Sequence, residues 1–216
     1  MKKHLLALAL IAAAGGAQAA VISFSNSFGL ATTGWTHNLT LQQFDTTLGS
    51  LNSVTFNYGG SVSSAFSVES LDGAAATVTA NSSAALLFGG PISQTVNISG
   101  STSQALSAFD GTIDFGGTSG ANIGPVLASD AASVVILSGL ASFIGTGAYD
   151  VNVTASGKSN ASGSGNLLSM VNTQALANIT VIYDYTARPP VAVPEPASMA
   201  LVGLGMMGLA AVRRRK

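Results

Sequence analysis

The 216-residue chain has no cysteine, which excludes disulfide staples, thiolate nucleophiles and Cys-ligated zinc. Charge is scarce as well, with Asp, Glu, Lys and Arg making up 8% of the residues. The formal net charge of −1 averages a basic head, a basic tail and an acidic middle. From Val21 to Val193 the only cations are Lys158 and Arg188, against Asp45, Glu69, Asp72, Asp110, Asp114, Asp130, Asp150 and Asp184. Phosphate recognition needs clustered Lys and Arg, so no nucleic-acid partner is expected. Histidine is nearly absent. His37 is the only one outside the N-terminal segment, so any His-based triad would have to be built on it. No serine sits in a Gly-x-Ser-x-Gly elbow between strand and helix, and Ser162-Gly163-Ser164-Gly165 reads as a flexible loop.

The carboxylates offer little more. Asp110 and Asp114 are four residues apart, which on an extended strand, at roughly 3.3 Å per residue, separates them by about 13 Å. That is too wide for either glycosidase geometry unless the chain bends. The segment also lacks the dense Asp/Asn alternation and closing Glu of an EF-hand, which leaves Asp110 and Asp114 as calcium candidates only in company with loop carbonyls. No catalytic residue and no cofactor are therefore expected, and the chain is read as non-enzymatic. The alternatives are a secreted enzyme acting on polysaccharide with acids from the Asp set, or a carbohydrate-binding module. The latter would need Trp35 and Tyr58 as an exposed aromatic platform.

What the chain does contain is apolar: 47% hydrophobic residues, with a mean hydropathy of +0.47. Disordered chains combine low hydrophobicity with high charge, so the 25 glycines and abundant Ser, Thr and Asn do not make this a linker. Both ends read as targeting segments. Lys2 and Lys3 precede the apolar run Leu5–Ala14, and Ala17-Gln18-Ala19 offers the small-x-small pattern of a signal peptidase site. Residues 1–19 are thus read as a signal peptide, with Ala17, Ala19 and Ala20 forming the site and cleavage falling before Ala20. At the other end, residues 188–193 form a Pro-rich extended linker. Pro194-Glu195-Pro196 follows, then sixteen uncharged residues (197–212), then Arg213-Arg214-Arg215-Lys216. A helix of that length reaches roughly 24 Å, a short transmembrane span whose flanking arginines can snorkel. The positive-inside rule holds the basic cluster in the cytoplasm and places the rest of the chain outside.

This order of Pro-Glu-Pro, short apolar helix and basic cluster resembles the PEP-CTERM sorting signal over residues 194–216. The resemblance implies processing by exosortase, a membrane-embedded transpeptidase, with Pro194, Glu195 and Pro196 as the recognition motif and Arg213, Arg214 and Arg215 as the stop-transfer cluster. It also implies export across a Gram-negative-type envelope, transient or permanent inner-membrane anchoring, and association with exopolysaccharide and biofilm. Signal peptidase and exosortase are the expected partners.

Residues 20–187 lie between these ends and show alternation rather than helical periodicity. Leu39 and Leu41 share a strand face with Gln43, and Val54, Phe56 and Tyr58 share another. Tyr58-Gly59-Gly60-Ser61 looks like a turn joining this strand to Val62–Val68 in a hairpin. Further strands are expected at Ala76–Ala80, Gln94–Ser99, Thr112–Phe115, Ser133–Leu137, Tyr149–Ala155 and Ile179–Tyr185. Gly-rich breaks at Gly89-Gly90-Pro91, Gly116-Gly117, Gly124-Pro125 and Gly145-Thr146-Gly147 separate them. The expected fold is all-β, an antiparallel, jelly-roll-like β-sandwich with an N-terminal signal helix and a single C-terminal transmembrane helix. No fixed repeat supports a β-helix.

The run Leu39–Val54 fits the pattern L-x-x-F-D-x-x-L-G-x-L-x-x-V in its latter part and resembles the opening of the choice-of-anchor E domain, a bacterial surface module without established activity. That likeness would span residues 21–186. Physically, Phe44 and Leu48 are expected as core plugs, with Asp45 capping a turn that Gly49 permits.

Overall fold

The computed structural model describes residues 18–163 and 165–189, together with Gly205 and Arg213. The chain divides into two units, Ala19–Ala187 and a second made of Met1–Gln18 with Arg188–Lys216. In the second unit Gly205 and Arg213 are helical and exposed. The signal helix through Ala17, Pro194, Glu195, Pro196, Arg214, Arg215 and nearly all of the span 197–212 lie outside the described residues. Among the described residues no helix is long and apolar enough to cross a membrane.

Unit Ala19–Ala187 is built from β1 (Ala19–Thr32), β2 (Trp35–Gln42), β3 (Gly49–Ser70), β4 (Ala76–Gly89), β5 (Gln94–Leu106), β6 (Gly120–Ile136), β7 (Ala148–Gly157), β8 (Asn160–Ser162) and β9 (Leu167–Ala187). A short 3-10 turn at Leu140–Phe143 precedes β7. One sheet has the order β1-β9-β3-β6; the other has β2-β7-β4-β5 with β8 added to β4. Every strand pairing is antiparallel. The alternation predicted from sequence is what stacks the two sheets. In β4, Val78, Ala80, Ala84, Leu86 and Phe88 are buried, while the residues between them are less so, apart from Ser82 on the inner row.

β3 overturns the expected hairpin. It runs unbroken for 22 residues, about 70 Å at roughly 3.3 Å per residue, straight through Gly59 and Gly60. These glycines serve close approach rather than a turn. A Cβ on Gly60 would run into Leu86 Cδ1 from the opposite sheet and lie 2.9 Å from the Leu176 carbonyl oxygen, and one on Gly59 would lie 2.6 Å from Asn178 Oδ1. Gly124-Pro125 is likewise no break: β6 absorbs it where the register shifts against Ser64 and Phe66 of β3. A proline fits there because β6 is the edge strand of its sheet.

Thr112–Phe115, expected as a strand, is loop. The Asp110 and Asp114 carboxylates draw nearby backbone N–H groups into tight turns, and Gly111, Phe115 and Gly117 take positive φ of 95°, 56° and 61°. The other expected strands all form, most of them longer than predicted.

The interior holds two hydrophobic clusters. The larger contains Leu39, Phe44, Phe56, Tyr58, Phe88, Phe143, Ile179, Val181 and Tyr183 among others. The smaller comprises Phe66, Val68, Val78, Ala80, Leu106 and Val126. Between them Ser64 Oγ lies 2.7 Å from Ser82 Oγ and 2.9 Å from Ser159 Oγ, and donates to Thr173 Oγ1 at 3.2 Å. Phe44 is fully buried as expected, whereas Leu48 is 39% exposed, because the turn carrying it points away from the core.

Candidate functional site

The strand directions give the unit two distinct ends. β1 starts where β9 finishes, with Ala19 opposite Thr186 and Ala20 opposite Tyr185. Gly49, at the start of β3, lies opposite Ala187. The chain therefore enters and leaves unit Ala19–Ala187 from neighbouring strands at one end, here called the terminal end. The opposite end is formed by the loops Leu71–Ala75, Ser107–Ser119 and Gly163–Asn166, and gathers Glu69, Asp72, Asp110 and Asp114.

An aromatic plug closes the terminal end. Phe44 packs against Tyr183 and Tyr185 with centroids 5.8 and 5.1 Å apart, and Phe143 packs against Phe56 and Tyr149 at 5.6 and 6.0 Å. The Tyr183 hydroxyl donates to the Gln42 carbonyl at 2.7 Å, so at its 3.2 Å contact with Tyr149 the latter donates. Burial raises the pKa of Tyr183, and burial with the neighbouring Tyr183 raises that of Tyr149. Burial alone pushes Tyr58 up to about 12. The motif turn is as expected: Asp45 Oδ1 accepts the Thr47 N–H at 2.8 Å, which holds the carboxyl below its usual pKa. Gly49 is required because a Cβ there would run into the Thr186 carbonyl.

At the far end the carboxylates hold backbone. Asp110 accepts N–H bonds from Thr112 at 3.0 Å and Thr118 at 3.3 Å, which lowers its pKa, while Asp114 accepts from Gly116 at 2.8 Å. Asp72 ties down the Gly163–Asn166 loop by accepting from Gly165 at 2.7 Å and Asn166 at 2.9 Å, so the segment expected to be flexible is anchored there. Glu69 is the residue that sequence reasoning missed. It is fully buried, accepts from the Ser119 hydroxyl at 2.5 Å and from the Phe115 N–H at 2.8 Å, and so clamps a non-glycine residue with positive φ. Its only sequence signal was an acid interrupting the Ser/Val alternation of Ser67–Ser70.

The remaining candidates disperse. Asp110 and Asp114 share the far-end loop, Asp130 sits on β6 opposite Gly60, and Asp150 sits on β7 opposite Thr40, whose hydroxyl it accepts at 2.6 Å. All four are exposed. Among the described residues no group of three His, Asp or Glu could hold a metal ion. His37 is exposed on β2 and stacks on Phe28 with centroids 4.3 Å apart. Trp35 also leans on Phe28, at 4.6 Å. Tyr58 is 1% exposed against Phe88, so Trp35 and Tyr58 form no platform. Two shallow cavities open on the surface. One, of about 260 Å³, is lined by Thr32, Thr33, Ser159 and Asn172; the other, of about 380 Å³, lies between Leu30, Leu127 and Leu176 over Ser61 and Ser63.

An antiparallel all-β unit with both ends emerging side by side defines a class of architecture rather than an activity. The tail is more specific: residues 192–216 match the family profile of the PEP-CTERM protein-sorting motif. The chain thus carries the signal expected of an exosortase substrate, which supports export and sorting to the cell envelope. No curated protein matches the chain. Among solved structures it is similar to chains of infectious bursal disease virus, Gx strain (13% identity, 90% of this chain and 50% of that one, TM-score 0.20) and Gt strain (14% identity, 88% and 50%, TM-score 0.10). The chain spans about half the length of those viral chains.

Proposed function

We propose that this chain is a non-catalytic structural or adhesive protein of the cell envelope or extracellular matrix, delivered by exosortase and associated with exopolysaccharide or biofilm. The observation that carries this reading is the sorting motif at residues 192–216, which begins five residues after β9 ends. The tail follows in sequence from β9, which finishes at the terminal end of the β unit. Separation of the Asp110–Asp114 loop from Asp130 on β6 and Asp150 on β7 supports the non-catalytic part. The sheet surfaces support contact with a neutral polymer, because most of their cross-strand pairs are hydroxyls and amides. Examples are Thr36 with Thr154, Asn152 donating to Asn38, and Thr79 with Ser103. The resemblance of Leu39–Val54 to the opening of the choice-of-anchor E domain agrees with a surface module.

The test replaces Pro194-Glu195-Pro196 with alanines and follows the protein through cell fractionation. Loss of tail processing and retention at the inner membrane are expected. Unchanged processing and location would remove the exosortase reading.

A further inference from the structure

We propose that β5 is a self-pairing edge, on which a second copy of this chain adds its own β5 antiparallel, with Gly100 opposite its counterpart. β5 ends its sheet, and among the described residues no strand pairs with its outer side. In an antiparallel ladder, residues alternately turn both backbone groups toward the partner strand and both away from it. Ser83 of β4 fixes the phase. Its carbonyl accepts the Lys158 N–H at 2.9 Å and its N–H donates to Ser159 Oγ at 2.9 Å, so both groups point away from β5. Ser99, its partner in register, therefore also turns outward, and with it every second residue of the strand. Two glutamines agree with this phase. Gln94 Nε2 donates to the Thr95 carbonyl at 3.0 Å and Gln104 Nε2 to the Ala105 carbonyl at 3.2 Å, both on the outward set. Thr95, Asn97, Ser99, Ser101, Ser103 and Ala105 thus form the free edge, and all are exposed.

The glutamines also delimit the open segment. The capped carbonyls of Thr95 and Ala105 stand equally far in sequence from Gly100, so the uncapped groups from Asn97 to Ser103 lie symmetrically about it. That symmetry selects a second copy over a foreign strand. Across a two-fold axis at Gly100, Asn97 meets Ser103 and Ser99 meets Ser101, each pair exchanging both of its bonds. The side chains brought together are an amide and hydroxyls, and no residue of β5 is charged, so nothing at the seam repels. The other edges are blocked. β6 lacks a donor at Pro125, shifts register nearby, and carries Asp130, whose carboxylate holds the Ala131 N–H at 2.8 Å. β1 and β2 are tied to each other, because Asn26 accepts the Ser27 N–H at 2.8 Å and donates to the Thr40 carbonyl at 3.0 Å.

The experiment measures hydrogen exchange at single amides of the full-length chain in detergent micelles, at about 20 μM and about 1 mM, a span suited to a small interface. The N–H groups of Asn97, Ser99, Ser101 and Ser103 are expected to exchange at least about tenfold more slowly at the higher concentration. Those of Ile98, Gly100 and Thr102, already bonded to β4, should stay protected at both. Ser101→Lys sets like charges across the axis, and Ser99→Pro removes an outward donor where an edge strand accommodates proline. Each should abolish the concentration dependence while Ile98, Gly100 and Thr102 stay protected, which shows that the sheet is intact. If a variant loses that protection, the alternation in the wild-type chain decides alone. Equal exchange of the outward amides at both concentrations in the wild-type chain would overturn the proposal. So would concentration-dependent slowing that persists in a folded variant or spreads evenly over all strands, since either result places the contact elsewhere.

Discussion

At the terminal end the two sheets are held apart by rings, with Phe44, Phe56, Phe143, Tyr149 and Tyr183 in mutual contact. At the far end the same two sheets enclose one ring, Phe66, among Val68, Val78, Ala80, Leu106 and Val126, and depend on acids that fasten loops. Burial of large side chains dominates the first region. In the second, much of the order comes from hydrogen bonds in which carboxylates accept backbone N–H groups. The hydroxyls of Ser64, Ser82, Ser159 and Thr173 mark the boundary, since they fill the inter-sheet space without adding apolar contact. The terminal end thus depends on packed rings, and the far end on fastened loops.

The largest test of that contrast is Phe56→Ala. Phe56 is 1% exposed and touches Tyr58, Phe143 and Tyr149, so the variant should lose about 3–5 kcal/mol of unfolding free energy in denaturant titration. Phe66→Ala removes the same side chain from the small cluster. Its loss of hydrogen-exchange protection should concentrate on β3 beyond Ser64, the start of β4 and the end of β5. Uniform loss along all strands would show that the hydroxyl seam divides nothing.

Alkali should act on the large cluster, which holds the buried tyrosines Tyr58 and Tyr183. Below pH 10 Tyr58 is protonated in both folded and unfolded chains and contributes no pH dependence. Between pH 10 and about 12 only the unfolded chain gives up that proton, so stability falls by up to about 1.4 kcal/mol per pH unit for this group. Above about 12 its contribution is fully lost. Tyr149 and Tyr183, raised by burial, act in the same direction. A Tyr58→Phe variant should show a shallower alkaline limb in pH-dependent unfolding, and an unchanged limb would remove Tyr58 as a cause.

At the far end, Glu69→Ala leaves the Phe115 N–H and the Ser119 hydroxyl without their buried acceptor, at a cost of about 1–3 kcal/mol. Limited proteolysis should then cut within Ser107–Ser119 while the terminal end keeps its exchange protection. Loss of protection at both ends would make Glu69 a global rather than a local clamp.

How much of this was readable in advance depended on the kind of signal. Alternating burial in β4, β7 and β9 was legible because the side-chain period of a strand is written directly into sequence. The turn of Asp45 and Gly49 was legible as well, since local hydrogen-bonding chemistry sets it. Gly59-Gly60 was misread because a glycine that admits a turn and one that admits a neighbour's side chain look identical until the neighbour, here Leu86, is in place. Glu69 was invisible for the same reason: its partners, Phe115 and Ser119, are 46 and 50 residues away. The sorting tail needed no fold at all, being read as linear sequence.

The smallest predicted effect separates two residues of one motif. Phe44 and Leu48 stand four apart and were expected to share the core, yet Phe44 is fully buried between Tyr183 and Tyr185 while Leu48 is 39% exposed. The turn explains the divergence. The Leu48 N–H donates to the Asp45 carbonyl at 3.1 Å, which curls the chain so that the residue after Thr47 faces outward before Gly49 starts β3. Leu48→Ala should therefore change unfolding free energy by no more than about 0.5 kcal/mol, as expected for an exposed site that anchors nothing. A loss near that of a core leucine, about 2–5 kcal/mol, would mean that Leu48 packs inward in solution and that the aromatic plug extends one turn further than its rings indicate.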